Sequence, residues 1–323
     1  MLGRMDCSGL TDIGKKRDAN QDHFLIADLN KSLRVHETSL GLNYQTRLFG
    51  GSQGKLLMVA DGMGGHQSGE RASMLAIDGV VSYVLESLTW MSRLDDRKRD
   101  FETELIGALD AGQKLIQRES DAMPARRGMG TTLTLAYIYW PKMYVVHAGD
   151  SRCYRLSQGK LEQLTSDHTM AALTEKGKDV ATDDAEIVKP MSHVLYSALG
   201  GNGDGLYPDV GRYDLAIGDA ILLCTDGLTR HVSARTIREQ LSSQDSAKTT
   251  CQKLVQLAID GGGADNITVV VAKFRESDET LCEEVGVECF GQEEVAKSKT
   301  LAADEDTLDS PIAVFSEETR PIR

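Results

Sequence analysis

Aspartates beside apolar segments are the residues of this chain best suited to chemistry. Three of them, Asp61, Asp150 and Asp226, directly follow a predicted buried strand, and Asp265 precedes another. Carboxylates at the ends of neighbouring strands can converge at one edge of a sheet, and glycines beside them let backbone and ligand approach closely. Carboxylate oxygens without clustered His or Cys match the ligand preference of Mg²⁺ and Mn²⁺. The pattern therefore predicts a hard-cation site.

A simpler interpretation exists for each aspartate taken alone. Asp-Gly is a common turn pair, and turns occur where strands end. A metal site is favoured only because several aspartates occur at the ends of predicted strands. Near the N-terminus, Arg17 lies four positions before Gln21 and five before Asp22. Because arginine binds phosphate bidentately, an arginine beside a metal-binding acid suits a phosphoryl group, although the same segment read in isolation is a polar loop.

The elements that must position these residues follow from the apolar pattern. Six apolar runs bounded by turn residues predict strands at 56–60, 132–138, 143–148, 153–156, 220–224 and 267–274. Apolar residues at helical spacing predict helices over 72–88 and 101–116, the second with Asp100 as its N-cap. Two further helices are predicted at 234–241 and 248–260. The order is strands, helices, strands, helices and a strand, which favours layered sheets with flanking helices over a parallel doubly wound fold.

Charge and composition divide the chain. Of the net charge of −13, the segment from residue 276 onward carries about −10, with 14 acidic and 4 basic residues. We expect a catalytic domain in residues 1–275 and an acidic, disordered tail in 276–323. Residues 169–193 form a long charged connection, which predicts either a functional flap or a surface helix and loop without a catalytic role.

Partners and location are bounded by the same data. The acidic balance argues against nucleic-acid binding. The chain shows neither an apolar run of about 18 residues nor a secretory signal, so we expect a cytoplasmic protein that does not engage membranes. The six cysteines are scattered, which predicts free thiols rather than a zinc site or a disulfide framework.

In order, eight segments resemble the PPM family, the type-2C metal-dependent Ser/Thr protein phosphatases, over residues 14–274. They are Arg17 with Asn20-Gln21-Asp22, Val59-Ala60-Asp61-Gly62-Met63-Gly64-Gly65, Gly128-Met129-Gly130-Thr131-Thr132, His147-Ala148-Gly149-Asp150-Ser151-Arg152, Leu164-Thr165-Ser166-Asp167-His168, Ala198-Leu199-Gly200, Leu223-Cys224-Thr225-Asp226-Gly227-Leu228 and Asp265-Asn266-Ile267-Thr268. The resemblance implies an α+β fold, a four-layer α-β-β-α sandwich of two antiparallel sheets flanked by helices.

The resemblance also implies roles for single residues. Asp61 matches the acid that bridges two Mg²⁺ or Mn²⁺ ions, with help from the carbonyl of Gly62. Asp226 and Asp265 match the acids that complete the first metal site, and Asp22 matches the acid serving the second. Asp150 matches the acid associated with a third metal in bacterial members, and Arg17 matches the phosphate-binding arginine.

Two positions depart from the pattern of many eukaryotic members. Gln21 stands where they have glutamate, and Met63 stands where they have a histidine proposed as general acid. Methionine cannot donate a proton usefully. The bacterial branch shares these features, so we interpret them as lineage. His66 lies nearby in the sequence, and we interpret it as a histidine at the start of a helix rather than as a catalytic residue.

The implied reaction is hydrolysis of phosphoserine or phosphothreonine by a hydroxide that bridges the two metals, with no phosphoenzyme. Phosphorylated proteins would be the substrates, a Ser/Thr kinase would be the opposing enzyme, and we expect a monomer. Two alternatives remain open from the sequence. A pseudophosphatase that binds phosphoproteins is disfavoured by the intact Asp61, Asp226 and Asp265, and a hydrolase of small phosphate esters would use the 169–193 segment as a lid.

Overall fold

The apolar runs of the sequence form strands in a computed structural model that describes residues 2–34, 47–64, 66–86, 98–176, 194–201, 205–277 and 289–290. The strands are β1 (Leu2–Asp12), β2 (Asp22–Arg34), β3 (Arg47–Met63), β4 (Gly130–Thr131), β5 (Leu133–Tyr139), β6 (Lys142–Ala148), β7 (Arg152–Ser157), β8 (Lys160–Gln163), β9 (Leu199–Gly200), β10 (Asp209–Asp214), β11 (Ala220–Cys224), β12 (Ile267–Ser277) and β13 (Cys289–Phe290). The helices are α1 (His66–Glu86), α2 (Lys98–Ala122), α3 (Met170–Lys176), α4 (Asp226–Thr229), α5 (Ala234–Ser242) and α6 (Ala247–Asp260), with a 3₁₀ turn at Pro124–Arg126.

Two compact units are present. The larger comprises Met5–Glu276, and the smaller comprises Met1–Arg4 with Ser277–Arg323. Within the smaller unit, β13 pairs antiparallel with Gly3 and Arg4. All of the candidate site residues belong to the larger unit.

One sheet of the larger unit runs in the order β10-β6-β5-β3-β4-β9, with β2 paired to β3. Alternate residues of β3, including Leu56, Met58 and Ala60, pack in a core with apolar residues of α1 and α2. Leu57 and Val59 are also fully buried, and they point to the opposite face because side chains alternate along a strand. Both faces of this sheet are therefore covered, which explains its continuous apolar runs.

The other sheet has the order β1-β12-β11-β7-β8 within the larger unit. Leu222 and Cys224 of β11 pack in a second core with α4, α5 and α6, whereas Ile221 and Leu223 are buried on the other face. Helices thus cover the outer face of each sheet, and the inner faces pack together. The structure is the predicted four-layer α-β-β-α sandwich.

Most predicted elements are confirmed, with one correction. Each of the six predicted strands lies within or nearly coincides with an observed strand, and helices occur in all four predicted places. Asp100 is not an N-cap, because α2 begins at Lys98 and Asp100 lies inside its first turn. The caps in the described part include Ser233 and Ser246, whose hydroxyl groups accept hydrogen bonds from the amides of Thr236 and Thr249.

Two predictions fall largely outside the described residues. Of the predicted flap, the first part forms α3, and an isolated bridge joins Thr169 to Leu195, while residues 177–193 are not described. The same holds for 278–288 and 291–323 of the predicted tail. The flap and the tail therefore stay predictions.

Candidate metal centre

Neighbouring strands of the two sheets bring four aspartates close together. Asp22 opens β2 and Asp61 lies near the end of β3, and the two are directly opposite each other in the antiparallel register. Asp226 begins α4 just after β11, and Asp265 lies two residues before β12, the strand hydrogen-bonded to β11. Asp61 differs slightly from the sequence expectation: it lies inside β3, which continues to Met63, instead of following the strand.

Hydrogen bonds join the two sheets at Asp22. Its Oδ2 accepts from the hydroxyl groups of Thr225 and Thr268, each at 2.8 Å. Within the described part of the chain, Asp22 Oδ1 and Asp226 Oδ1 are buried and accept no hydrogen bond. A buried carboxylate oxygen without a donor is costly unless a cation approaches it. These two atoms fit the donor set that a hard divalent cation prefers.

The backbone of Asp61 is held firmly. Its amide donates to Thr132 Oγ1 at 3.0 Å, and its carbonyl accepts from the Thr132 amide at 2.9 Å and from Thr131 Oγ1 at 2.8 Å. The next residue, Gly62, has no room for a side chain, since a Cβ there would lie 2.2 Å from the carbonyl oxygen of Gly69. Glycine at this position keeps the end of β3 against the first turn of α1.

The electrostatics of the cluster call for positive charge. Burial raises the pKa of Asp22 to about 6, although hydrogen bonds from Thr268 and Thr225 act in the opposite direction. Burial and then the charge of Asp150 raise the pKa of Asp226 to about 7, against the effect of Arg230. Burial, followed by the charges of neighbouring carboxylates, raises the pKa of Asp61 well above its ordinary value. Ionised carboxylates in such a place repel one another until a cation neutralises them.

Two arginines supply part of that charge. Arg17 holds Asp265 bidentately, with Nε 2.7 Å from Oδ1 and Nη2 2.8 Å from Oδ2. Arg230 donates from Nη1 to Asp265 Oδ2 at 2.8 Å and from Nη2 to Asp226 Oδ2. Across the residues described, no three His, Cys, Asp or Glu side chains are already disposed as a metal site. Arginine contacts occupy oxygens that a cation would need.

Arg230 was missed by the sequence analysis. Its signal is the i,i+4 spacing from Asp226 on a helix that starts directly after a strand. That spacing places a guanidinium over a strand-end carboxylate, but its second contact, with Asp265, depends on the pairing of β11 and β12.

Asp150 lies two residues after β6 and also lines the cleft. Burial, followed by the charge of Asp167, raises the pKa of its carboxyl group. Asp167 is fixed by Arg152, whose Nε and Nη2 lie 2.8 and 2.6 Å from its two oxygens.

The cleft has a volume of about 450 Å³. It brings together all but one of the predicted site residues, namely Arg17, Asp61, Gly62, Asp150, Asp226 and Asp265. Asp22 is the exception: it is 3% exposed and sits against Thr225 and Thr268. Gln21 and Met63, the two residues that differ from the pattern of many eukaryotic members, also line the cleft. His66 is the first residue of α1, which matches the helix-entry position.

The sequence matches the protein phosphatase 2C family model over residues 43–267. The chain belongs to the protein phosphatase 2C family. Among curated relatives, it is 34% identical to the serine/threonine protein phosphatase PstP of Mycobacterium tuberculosis over 260 residues, which are 80% of this chain and 45% of that protein. It is 31% identical to the protein phosphatase PhpP of Streptococcus pneumoniae over 275 residues, which are 85% of this chain and 99% of the relative.

Solved structures of the phosphatase 2C family align with the same region. The M. tuberculosis phosphatase PstP superposes with a TM-score of 0.63 at 32% identity, covering 85% of this chain and all of the other. The catalytic domain of PstP in complex with two manganese ions gives a TM-score of 0.63 at 30% identity, covering 85% of this chain and 100% of that chain. Separately, none of the helices in the described residues is long and apolar enough to cross a membrane.

Proposed function

We propose that this phosphatase 2C family member is a metal-dependent protein phosphatase that hydrolyses phosphoserine and phosphothreonine in other proteins. The observation that carries the proposal is the convergence of aspartates from two sheets around one cleft, with buried Asp22 Oδ1 and Asp226 Oδ1 accepting no hydrogen bond from the described residues. The names of the relatives, serine/threonine protein phosphatase PstP and protein phosphatase PhpP, support the same reaction.

The proposed ligands of two Mg²⁺ or Mn²⁺ ions are Asp22, Asp61, the carbonyl of Gly62, Asp226 and Asp265, with Asp150 serving a third ion. The two manganese ions in PstP support this count. When bound, such ions act as Lewis acids that lower the pKa of a water and neutralise charge on a phosphoryl group. Asp22 is kept in place by Thr225 and Thr268, so these threonines have a positioning role.

Arg17 is the proposed phosphate-binding residue. Its side chain is 52% exposed and lines the cleft. Nε and Nη2 face Asp265, and within the described residues Nη1 makes no hydrogen bond, so that edge of the guanidinium can donate to a phosphate oxygen. The pairing with Asp265 fixes the plane of the guanidinium, which reduces the entropy lost when phosphate binds.

The proposal extends to the domain organisation, the partners and the location of the protein. We place the catalytic domain in residues 1–275, in keeping with the larger unit Met5–Glu276, and the acidic tail in 276–323. The substrates are phosphorylated proteins, the opposing enzyme is a Ser/Thr kinase, and the protein acts as a cytoplasmic monomer.

Phosphate release from a phosphothreonine peptide tests the proposal. The wild-type protein, Asp226→Asn and Asp260→Asn are each assayed with Mn²⁺, with Mg²⁺ and with chelator. Asp260 is an exposed aspartate at the end of α6, so its variant is a matched control. We expect metal-dependent release by wild type and control, and a loss of at least about 100-fold in Asp226→Asn, since even outer-shell partners of a metal are worth about 10–100-fold. Release that persists in chelator, or full activity of Asp226→Asn, would refute the proposal.

A further inference from the structure

Arg230 sits at the C-terminal end of the short helix α4 and reaches back over its start. Its backbone amide caps the helix by donating to the carbonyl of Asp226. Its side chain, 34% exposed, bridges Asp226 Oδ2 and Asp265 Oδ2 with two different nitrogens. One guanidinium therefore links two carboxylates that come from adjacent strands, at the place where the proposed function puts a divalent cation.

Asp265 already accepts as many hydrogen bonds as a carboxylate can. Oδ1 accepts from Arg17 Nε at 2.7 Å and from the Asn266 amide at 2.9 Å. Oδ2 accepts from Arg17 Nη2 and from Arg230 Nη1, each at 2.8 Å. An ionised carboxylate has about four lone-pair directions. A cation can take an oxygen of Asp265 only if one of these donors leaves.

Of these donors, Arg230 is the one whose departure frees the most carboxylate oxygens for a cation. Arg17 contacts Asp265 with two parallel hydrogen bonds, the strong bidentate arrangement. The Asn266 amide is part of the backbone and cannot move away. Arg230 donates to Asp226 Oδ2 and to Asp265 Oδ2 from two different nitrogens, so its departure releases one oxygen of each acid together.

We propose that Arg230 is an internal counter-charge of the metal site, which competes with the divalent cation for Asp226 and Asp265 and thereby sets the metal affinity. The inference rests on the proposed function, because that function makes these two aspartates ligands. Without the ion, Arg230 neutralises the pair and stabilises the fold. With the ion, the guanidinium yields the shared oxygens and stays within reach of the cleft.

Calorimetric titration with Mn²⁺ alone, together with thermal unfolding at several Mn²⁺ concentrations, tests the inference without any substrate. Arg230→Met keeps an unbranched, flexible side chain, shorter than that of arginine, and removes its charge. Arg230→Lys keeps the charge but replaces the two donor nitrogens of a planar guanidinium by one ammonium group on a shorter side chain. Arg235→Met is the control, since Arg235 is 83% exposed and forms an i,i+4 pair with Glu239 on α5.

We expect Arg230→Met to bind Mn²⁺ at least about tenfold more tightly than wild type, equivalent to about 1.4 kcal/mol, with Arg230→Lys between them and the control unchanged. The melting temperature of Arg230→Met should fall below that of wild type in chelator and equal or exceed it at saturating Mn²⁺, because the stabilisation by a ligand increases with the logarithm of its affinity. A residue with a purely structural role would lower both melting temperatures.

An affinity of Arg230→Met within twofold of wild type, or weaker, would overturn the inference and leave the proposed function intact. If Arg230→Lys binds Mn²⁺ as tightly as wild type does, the bridge between Asp226 and Asp265 does not depend on the guanidinium, and that part of the inference is overturned. If Arg230→Met fails to fold, the lysine variant alone decides by the same comparison. Absence of Mn²⁺ binding by wild type would overturn the inference and the proposed function together.

Discussion

Gly227→Ala should move a proposed metal ligand without changing its chemistry. Gly227 follows Asp226 at the start of α4 and is buried. A Cβ there would lie 1.9 Å from the carbonyl oxygen of Asn266, and relief to 3.0 Å requires a shift of about 1.1 Å. The obstacle is backbone, so no side-chain rotation can relieve it.

Asn266 cannot give way easily. Its Nδ2 donates to the carbonyls of Ile13 and Ala19, each at 3.0 Å, and its Oδ1 accepts from the Gln21 amide at 2.9 Å. The start of α4 must therefore move, and it carries Asp226 away from Asp265. A misplacement of about 1 Å can cost about 100-fold in rate. Overpacking of this kind costs about 1–3 kcal/mol of stability.

The assay is Mn²⁺-dependent phosphate release, with urea unfolding measured on the same preparations. Gly218→Ala serves as the matched control, because Gly218 has φ +97° and no atom lies within 4 Å of the position that a Cβ would take. That substitution costs only backbone strain of about 1–2 kcal/mol, so the control should lose stability and keep its activity. Activity of Gly227→Ala within threefold of wild type would refute the reasoning.

Two other variants test the surroundings of the site. Asp150→Ala should keep two metal ions bound and lose turnover, as measured by metal analysis and phosphate release; two empty sites would contradict its assignment to a third ion. His147 is fully buried, with Nε2 3.1 Å from the Ser166 carbonyl and Nδ1 2.9 Å from Thr134 Oγ1, and burial lowers its pKa to about 4 from the ordinary 6.5. Its neutral form thus contributes stability above pH 6.5 that is lost as pH falls toward 4. In chelator, the stability advantage of wild type over His147→Asn should shrink by about 2–3 kcal/mol between pH 7 and pH 4.5, and an advantage independent of pH would count against this.

The sequence predicted the site best where the acid lies within two residues of a continuously buried strand. β11 with Asp226 and β12 after Asp265 are such cases, since continuous burial makes the run visible. β1 and β2 were not predicted, because their residues are mostly half-buried and their apolar pattern is correspondingly mixed. As a result the opposition of Asp22 and Asp61 across β2 and β3 could not be foreseen.

Contacts between residues far apart in the sequence could not be predicted either. The pairing of Arg17 with Asp265 joins residues 248 positions apart, and no local pattern encodes it. Arg230 illustrates the intermediate case: its spacing from Asp226 is visible in the sequence, whereas its bridge to Asp265 exists only once β11 and β12 are paired.

The hydrogen bonds of Asp22 to Thr225 and Thr268 bear on how the protein is made. They join residues 203 and 246 positions apart. These hydrogen bonds therefore form only when the long chain segments between the residues close into loops. A chain emerging from the ribosome has Asp22 and Asp61 early and gains Asp265 only near the end of the larger unit. On the proposed ligand set, divalent ions are captured only after nearly all of that unit has been synthesised, and the proposed phosphatase activity cannot begin before then.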